Sequence, residues 1–138
     1  MSLAPPADDE FAPFYAGYVA RVSAVTTPIE ALQEQGERLL QDLGRLTEEE
    51  ARFRYAPGKW SIKEMIGHLA DAERIFGYRL LRIARGDGTP LPGWEENAYV
   101  ETARSDARPL GELLHDWAAA RASTLALVAG MPADAWLR

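Results

Sequence analysis

Mostly apolar residues recur at spacings of chiefly three or four in three separate segments of this chain, and such spacing places side chains on one side of an α-helix. The first run is Ile29, Leu32, Gly36, Leu39, Leu43 and Leu46. The second is Ile62, Met65, Leu69, Ala72, Phe76, Leu80 and Ile83, and the third is Leu110, Leu113, Leu114, Trp117, Arg121, Leu125 and Val128. No strand pattern of consequence competes with them, so we predict an all-α fold in which each run forms a packing face.

Capping motifs and Gly or Pro residues set the expected bounds of the three helices. A Thr-Pro-Ile-Glu motif at 27–30 begins the first, which we predict over about 28–45. A Ser-Ile-Lys-Glu motif at 61–64 begins the second, and Gly86 ends it. Pro109 begins the third, which Gly130 and Pro132 end.

A long connection separates the second helix from the third. Residues 86–108 are rich in Gly and Pro at first and then predict a short helix at about 95–103. A crossover of this length allows the two long helices to run parallel. The 138 residues suffice for one domain, which we place at 11–138 after a loosely ordered tail at 1–10.

Composition narrows the classes of function. The formal charge of −6 argues against a nucleic acid or an anionic membrane as a partner. No apolar stretch approaches the roughly 20 residues of a membrane span and no secretory leader pattern is found, so we expect a cytoplasmic protein without a membrane partner. The chain has no cysteine and two histidines, which leaves imidazole, carboxylate or water as metal ligands.

His68 lies within the second helix, beside its apolar run. Asp71 follows three residues later on the same side, so the two side chains have the spacing to share a metal ion or a hydrogen bond. One histidine with one aspartate is not a metal signature, and a core-edge histidine bonded to a carboxylate or a carbonyl is the commoner case. His115, in the third helix, is predicted to lie on the surface.

Four arginines cluster late in the second helix: Arg74, Arg79, Arg82 and Arg85. They can hold an anionic substrate, or they can complement the dipole at the helix C-terminus as a solvated flank. Arg79 lies on the side of His68 and is the candidate substrate-binding residue. The tryptophans are expected to pack at the ends of the bundle.

The chain resembles the DinB-like superfamily of damage-inducible proteins. The resemblance is carried by Tyr-Ala-Pro-Gly-Lys-Trp-Ser-Ile-Lys-Glu-Met-Ile-Gly-His-Leu-Ala-Asp-Ala-Glu-Arg at 55–74, Tyr-Arg at 78–79 and Ile-Ala-Arg-Gly-Asp at 83–87. It continues in Pro-Gly-Trp-Glu-Glu-Asn-Ala-Tyr-Val at 92–100 and Asp-Ala-Arg-Pro-Leu at 106–110, so the likeness covers nearly everything after residue 11.

The resemblance implies a four-helix bundle with a long second connection, usually dimeric, that commonly holds a divalent metal such as zinc, nickel or iron on three histidines. His68, in a Gly-His-Leu-x-Asp-x-Glu context at 67–73, matches the first ligand. Characterised relatives are similar to thiol-dependent S-transferases and include a mycothiol-dependent maleylpyruvate isomerase. In these enzymes the metal binds a low-molecular-weight thiol and lowers its pKa, which makes the thiolate nucleophile.

The sequence departs from the family at the other two ligands, which the family carries on its fourth helix as a His-x-x-x-His pair. His115 matches neither position, and one imidazole with Asp71 does not hold zinc tightly. We therefore expect a bundle without its fourth helix in this chain and a domain that is incomplete at its C-terminus. The uncovered apolar faces predict self-association, with a homodimer as the expected assembly.

Two functional hypotheses follow. In the first, the chain is a metal-dependent enzyme that transfers a small-molecule thiol to an electrophile, with His68 as a metal ligand and Arg79 as an anion holder. In the second, it is a non-catalytic, stress-related bundle that acts by self-association, and His68 is a core histidine. Neither hypothesis assigns a catalytic residue.

Overall fold

The computed structural model describes residues 5–137, and the regular structure in that range is entirely helical. The α-helices are α1 (Ala16–Val22), α2 (Pro28–Leu43), α3 (Ile62–Ala84), α4 (Glu96–Ala103) and α5 (Leu110–Ala129). Short 3₁₀ helices lie at Pro13–Tyr15, Glu50–Arg52, Ser105–Ala107 and Ala133–Leu137. The all-α prediction is confirmed, and α4 is the short helix expected in the crossover.

The centre of the bundle consists of α3 and α5, which run parallel. Glu73 of α3 binds Arg121 of α5. One turn further along both helices, Gly77 lies beside Thr124. Since later residues of α3 contact later residues of α5, the two helices run in the same direction, which is the arrangement that a long crossover permits.

The helix α2 packs on α5 in the opposite direction. The carbonyl of Leu32 accepts a hydrogen bond from Arg121, whereas Gly36, one turn later in α2, lies against Trp117, one turn earlier in α5. Pro28 occupies the first turn of α2 as predicted, although Thr27 makes no side-chain capping hydrogen bond. The three long helices therefore share one interior.

Aliphatic and aromatic side chains from all three long helices form that interior. Its buried members are Ala51, Ile66, Ala70, Leu110, Leu113, Leu114 and Trp117. Partly buried residues packed against them are Leu39, Leu40, Leu43, Leu46, Ile62, Leu69 and Ala118. The apolar runs predicted for α2 and α5 are thus the faces that contribute to the core.

The predicted packing face of α3 is partly wrong. Met65, Phe76 and Ile83 belong to the predicted run, yet they are 43%, 54% and 43% exposed. The buried positions of the helix include Gly67 and Ala70. The physical reason is that glycines allow the close contacts of α3: Gly67 lies against Ser105 of the turn before α5, and Gly77 lies against Thr124 of α5. The helix approaches its neighbours along that side, and larger members of the predicted run stay exposed.

The start of α3 is tied to the turn that precedes α5. Ser61 and Glu64 form the predicted capping box, and the Ser61 hydroxyl also donates to the Asp106 carboxylate. Lys63 is fully buried, and its Nζ donates to Glu48 at 2.9 Å and to the Asp106 carbonyl at 3.1 Å. These hydrogen bonds compensate the buried charge of Lys63 and fix the position of α3 along its axis relative to the turn before α5.

Several expectations concern the periphery of the chain. Residues 1–4 of the predicted tail lie outside the described residues, and 5–10 form no regular helix. Among residues 5–137 the long helices are α2, α3 and α5, with no fourth. Nowhere in that range does a helix combine the length and the apolar character that crossing a lipid bilayer would need.

Candidate functional site

Two tryptophans enclose the imidazole of His68. The centroid of the Trp94 ring lies 5.5 Å from that of His68, and the planes differ by 10°, so the rings stack. The Trp60 ring contacts the same imidazole with a centroid distance of 4.8 Å and an angle of 45° between planes. The expectation that these tryptophans pack at the ends of the bundle missed this arrangement.

The ring nitrogens of His68 lie in different surroundings. Nδ1 is buried and has no hydrogen-bond partner among residues 5–137, so the bond to a carboxylate or carbonyl expected of a core-edge histidine is not found there. Leaving a buried polar atom unsatisfied costs about 1–3 kcal/mol. The side chain as a whole is only partly buried, which leaves Nε2 as the nitrogen that an external ligand can reach.

Trp60 is held in place by the loop before α3. Arg54 donates a hydrogen bond to the carbonyl of Lys59 at 2.7 Å and forms ion pairs with Glu64 and Asp106. One guanidinium therefore links the loop, the first turn of α3 and the turn before α5. Because Trp60 directly follows Lys59, this network fixes the indole beside the imidazole.

Trp94 is positioned by the short helix α4. It directly precedes Glu95, whose carboxylate accepts the backbone N–H of Asn97 at 3.1 Å and so caps that helix. The Trp94 indole also packs edge-on against Tyr99 of α4, with centroids 5.1 Å apart. The crossover thus carries the aromatic ring that covers His68.

Two of the clustered arginines fasten the crossover to α3. Arg79 donates to the carbonyl of Pro92 at 2.8 Å. Arg82 donates to the carbonyl of Thr89 at 3.3 Å and forms an ion pair with Asp87. These contacts hold the segment that leads into Trp94.

Gly67 brings α3 into close contact with the turn before α5. A Cβ added at this position would lie 2.2 Å from Oγ of Ser105, well inside van der Waals contact. With the Ser105 side chain in this position, only glycine permits the observed approach. Because His68 is the next residue, the same contact sets where the imidazole lies relative to that turn.

Asp71 lies one helical turn beyond His68. Burial raises the pKa of its carboxyl, while the charges of Arg74 and His68 act in the opposite direction. A carboxyl whose charged form is disfavoured, close to an imidazole, is typical of functional sites, although structural clusters show it as well. Asp71 is thus the second candidate ligand at this position.

The other predicted site residues are found in two places. Arg79 lines a pocket of about 300 Å³ that Trp94 also lines, so one aromatic ring connects Arg79 with the surroundings of His68. His115 is exposed, as predicted, and lies beside Arg108 and Asp116 in a different surface depression. The structure does not bring the two histidines together.

Metal-ligating side chains do not form a complete set in the part of the chain that the structure describes. No group of three or more His, Asp or Glu side chains suited to one ion occurs within residues 5–137. A zinc site requires at least three protein ligands. His68, with Asp71 nearby, therefore fits a divalent metal at one or two positions only.

Comparison with known proteins places the chain in a family. The sequence model of the DinB superfamily matches residues 31–138, which is most of the chain. The chain belongs to the DinB superfamily. No curated protein and no solved structure matches this DinB-superfamily chain significantly. The family assignment made from the residues around His68 is confirmed.

Within this DinB-superfamily chain, sequence reasoning found His68 and missed the role of the two tryptophans. Trp60 and Trp94 stand 34 positions apart in the sequence, so no local spacing relates them to each other. The family resemblance could have pointed to them, because both tryptophans lie in the stretches on which that resemblance rests.

Proposed function

We propose that this chain supplies His68 as one ligand of a divalent-metal centre that activates a low-molecular-weight thiol for transfer to an electrophile. The observation that carries the proposal is an imidazole held between two tryptophans, which makes no hydrogen bond through Nδ1 to the described residues and leaves Nε2 as the nitrogen that a metal can reach. Asp71 is the candidate for a second ligand, and the remaining ligands come from groups other than the side chains of residues 5–137 in one chain, with the thiol among them.

The enclosure of His68 supports a role as a ligand. Contacts with Trp60 and Trp94 restrict rotation of the imidazole, and a ligand held in one orientation loses less entropy when it binds a metal. If His68 served only to pack, an apolar residue of similar size could take its place at little cost in stability, because it would have no unsatisfied nitrogen. The presence of an imidazole therefore favours a role that uses a ring nitrogen.

The composition of the chain supports an external thiol. A bound divalent cation favours deprotonation of a thiol that coordinates it. The chain has no cysteine, so any thiolate on the metal must belong to another molecule. This property makes the proposal easy to test by spectroscopy.

The experiment uses Co²⁺ and 2-mercaptoethanol as probes. Cobalt bound to a thiolate absorbs in the near ultraviolet through charge transfer, and the chain itself contributes no thiolate. We expect the wild-type chain to enhance this absorption over a protein-free mixture. His68→Gln should abolish the enhancement, and His115→Gln, which changes the exposed histidine of α5, should retain it.

Two results would contradict the proposal. One is equal enhancement by the wild-type chain and His68→Gln, because the metal would then bind elsewhere. The other is the absence of any enhancement in the wild-type chain at millimolar cobalt and thiol.

The second candidate function is that of a non-catalytic bundle that acts by self-association. It is favoured by the exposed Met65, Phe76 and Ile83 on α3, which lie on one side of that helix and form an apolar face open to solvent. We propose a second copy as the partner for this face, which gives the expected homodimer.

Light scattering after size-exclusion chromatography tests the homodimer. Phe76→Gln should shift the chain toward monomer, whereas Phe53→Gln, which changes a phenylalanine of similar exposure outside this face (62% against 54%), should not. A wild-type chain that remains monomeric at high concentration would refute self-association. A dimer that shows no cobalt–thiolate absorption would favour this second function over the first.

A further inference from the structure

A pocket of about 300 Å³ lies between α3, the crossover and α4. Aromatic and aliphatic side chains form most of its wall, including Trp94, Tyr99 and Leu91. This volume is at the lower end of the range of roughly 300–1,000 Å³ typical of small-molecule sites. The pocket therefore suits a ligand of a few to about a dozen non-hydrogen atoms.

The charges that line the pocket are of one sign. Arg74 and Arg79 both line it, and no Asp or Glu does. This is opposite to the chain as a whole, which carries a formal charge of −6. An apolar wall with cations and no carboxylates favours an anion with an apolar body.

The two arginines differ in what already binds them. Arg74 forms an ion pair with Asp116, which neutralises part of its charge. Arg79 has no ion pair within residues 5–137: its hydrogen bond is to the neutral carbonyl of Pro92 through one terminal nitrogen, and its guanidinium carbon lies 5.3 Å from the centroid of the Phe76 ring. Since a guanidinium has five N–H donors, most of those on Arg79 are available to a ligand.

We propose that this pocket binds a small organic carboxylate with a planar, apolar body, and that Arg79 pairs with the carboxylate. Trp94 and Tyr99 offer ring faces or edges to the planar part. A fixed guanidinium fork matches the two oxygens of a carboxylate.

The pocket adjoins the candidate metal ligand through a shared residue. Trp94 lines the pocket and stacks on the His68 imidazole. A ligand that carries both this carboxylate and an electrophilic carbon would accordingly be the acceptor, and this assignment rests on the proposed function. The thiolate sulfur would bond to that carbon, and the proton lost by the thiol would return to the neighbouring atom of the ligand, so that no group leaves. Binding of the carboxylate itself needs neither metal nor thiol.

The experiment measures benzoate binding to the full chain by NMR in the presence of EDTA. We expect benzoate to shift the indole N–H signal of Trp94, assigned by its loss in Trp94→Phe, with a dissociation constant of about 1 mM. Benzamide, which has the same shape without the charge, should bind about tenfold more weakly. Acetate, which lacks the ring, should also bind at least about tenfold more weakly.

Variants at two arginines separate binding from structure. Arg79→Gln should weaken benzoate binding about tenfold, and Arg79→Lys, which keeps the charge and a donor for the Pro92 carbonyl, should recover part of the loss. Arg85→Gln changes an exposed arginine near the end of the same helix and should leave the affinity within about twofold. Backbone amide spectra show whether each variant keeps the fold.

The inference fails if benzamide binds as well as benzoate, or if Arg79→Gln and Arg85→Gln have the same effect in folded proteins. It also fails if benzoate leaves the Trp94 signal unmoved at concentrations of tens of millimolar. His68→Gln distinguishes it from the proposed function, because benzoate binding should survive that substitution while cobalt–thiolate absorption is lost. Either proposal, the carboxylate pocket or the metal–thiol centre, can therefore be refuted while the other stands.

Discussion

Replacing Glu73 with leucine should destabilise the fold, because it leaves the guanidinium of Arg121 buried without its counter-charge. The pair joins α3 to α5 through two hydrogen bonds of 3.0 Å, and the side chains are only 12% and 11% exposed. Breaking one partner of a buried ion pair costs about 3–5 kcal/mol. Arg121 keeps the Leu32 carbonyl and Gln35 as acceptors, so we expect a cost of about 3 kcal/mol.

The double variant Glu73→Leu/Arg121→Met is the decisive comparison. Removing both charges and filling the space with apolar atoms should restore stability to within about 1 kcal/mol of the wild type. Urea denaturation followed by circular dichroism gives the free energies of unfolding. Heating should show a loss of roughly 10–15 °C in Tm for Glu73→Leu and little change for the double variant.

An exposed ion pair between the same two helices provides the control. Arg74 and Asp116 are 49% and 31% exposed, so Asp116→Asn should cost no more than about 1 kcal/mol. A double variant as unstable as Glu73→Leu alone would refute the reasoning, because the loss would then come from packing rather than from an uncompensated charge. A loss of less than about 1 kcal/mol in Glu73→Leu would refute it too.

Three further predictions concern the surroundings of His68 and the start of α3. Gly67→Ala should lower Tm despite the better helix propensity of alanine, because its Cβ meets Oγ of Ser105, and adding Ser105→Ala should recover most of the loss. The pKa of Glu48 is lowered by the backbone N–H of Leu110 and by Lys63, and the pKa of Glu64 is lowered by Arg54. The stability that these two carboxylates contribute is therefore fully present above their ordinary pKa of 4.5. It is lost as the pH falls through their lower pKa values in the folded protein. Glu48→Gln/Glu64→Gln should accordingly be less stable at pH 7 and lose less between pH 5 and pH 3, as thermal melts will show. Since burial raises the pKa of Asp71, its ionised form opposes folding at pH 7, so Asp71→Asn should have the higher Tm there and approach the wild type as the pH falls toward 3.

The helices could be predicted from the sequence because their signals are local. The capping box at Ser61 and Glu64 and the proline at the start of α2 lie within one turn of the helix ends that they mark. The runs of α2 and α5 could also be assigned to the core, since those helices bury one continuous side. The position of His68 as a candidate ligand came from residues next to it in the chain.

The face of α3 that packs could not be predicted from periodicity. A count of apolar residues favoured the run containing Met65 and Phe76, both of which are exposed. The close contacts are made by Gly67 with the turn before α5 and by Gly77 with α5 itself, because close approach requires small side chains. Hydrophobicity measures which side is apolar, and it does not measure which side fits a neighbour.

The enclosure of His68 was also beyond local sequence reasoning. Trp60 and Trp94 reach the imidazole from either end of α3, through a loop held by Arg54 and a crossover held by Arg79 and Arg82. Each of these contacts depends on the three-dimensional path of an irregular segment. Spacing along a helix carries no information about such segments.

The central claim, that metal binding by this chain begins at His68, is tested most directly by titrating the chain with Ni²⁺ while the ring signals of both histidines are followed by NMR. Paramagnetic broadening falls steeply with distance, so it reports which imidazole binds the ion. We predict that His68 broadens at lower Ni²⁺ concentrations than His115 and that Asp71→Asn shifts its titration to higher concentrations. Broadening of His115 first, or of both histidines together, would contradict the claim.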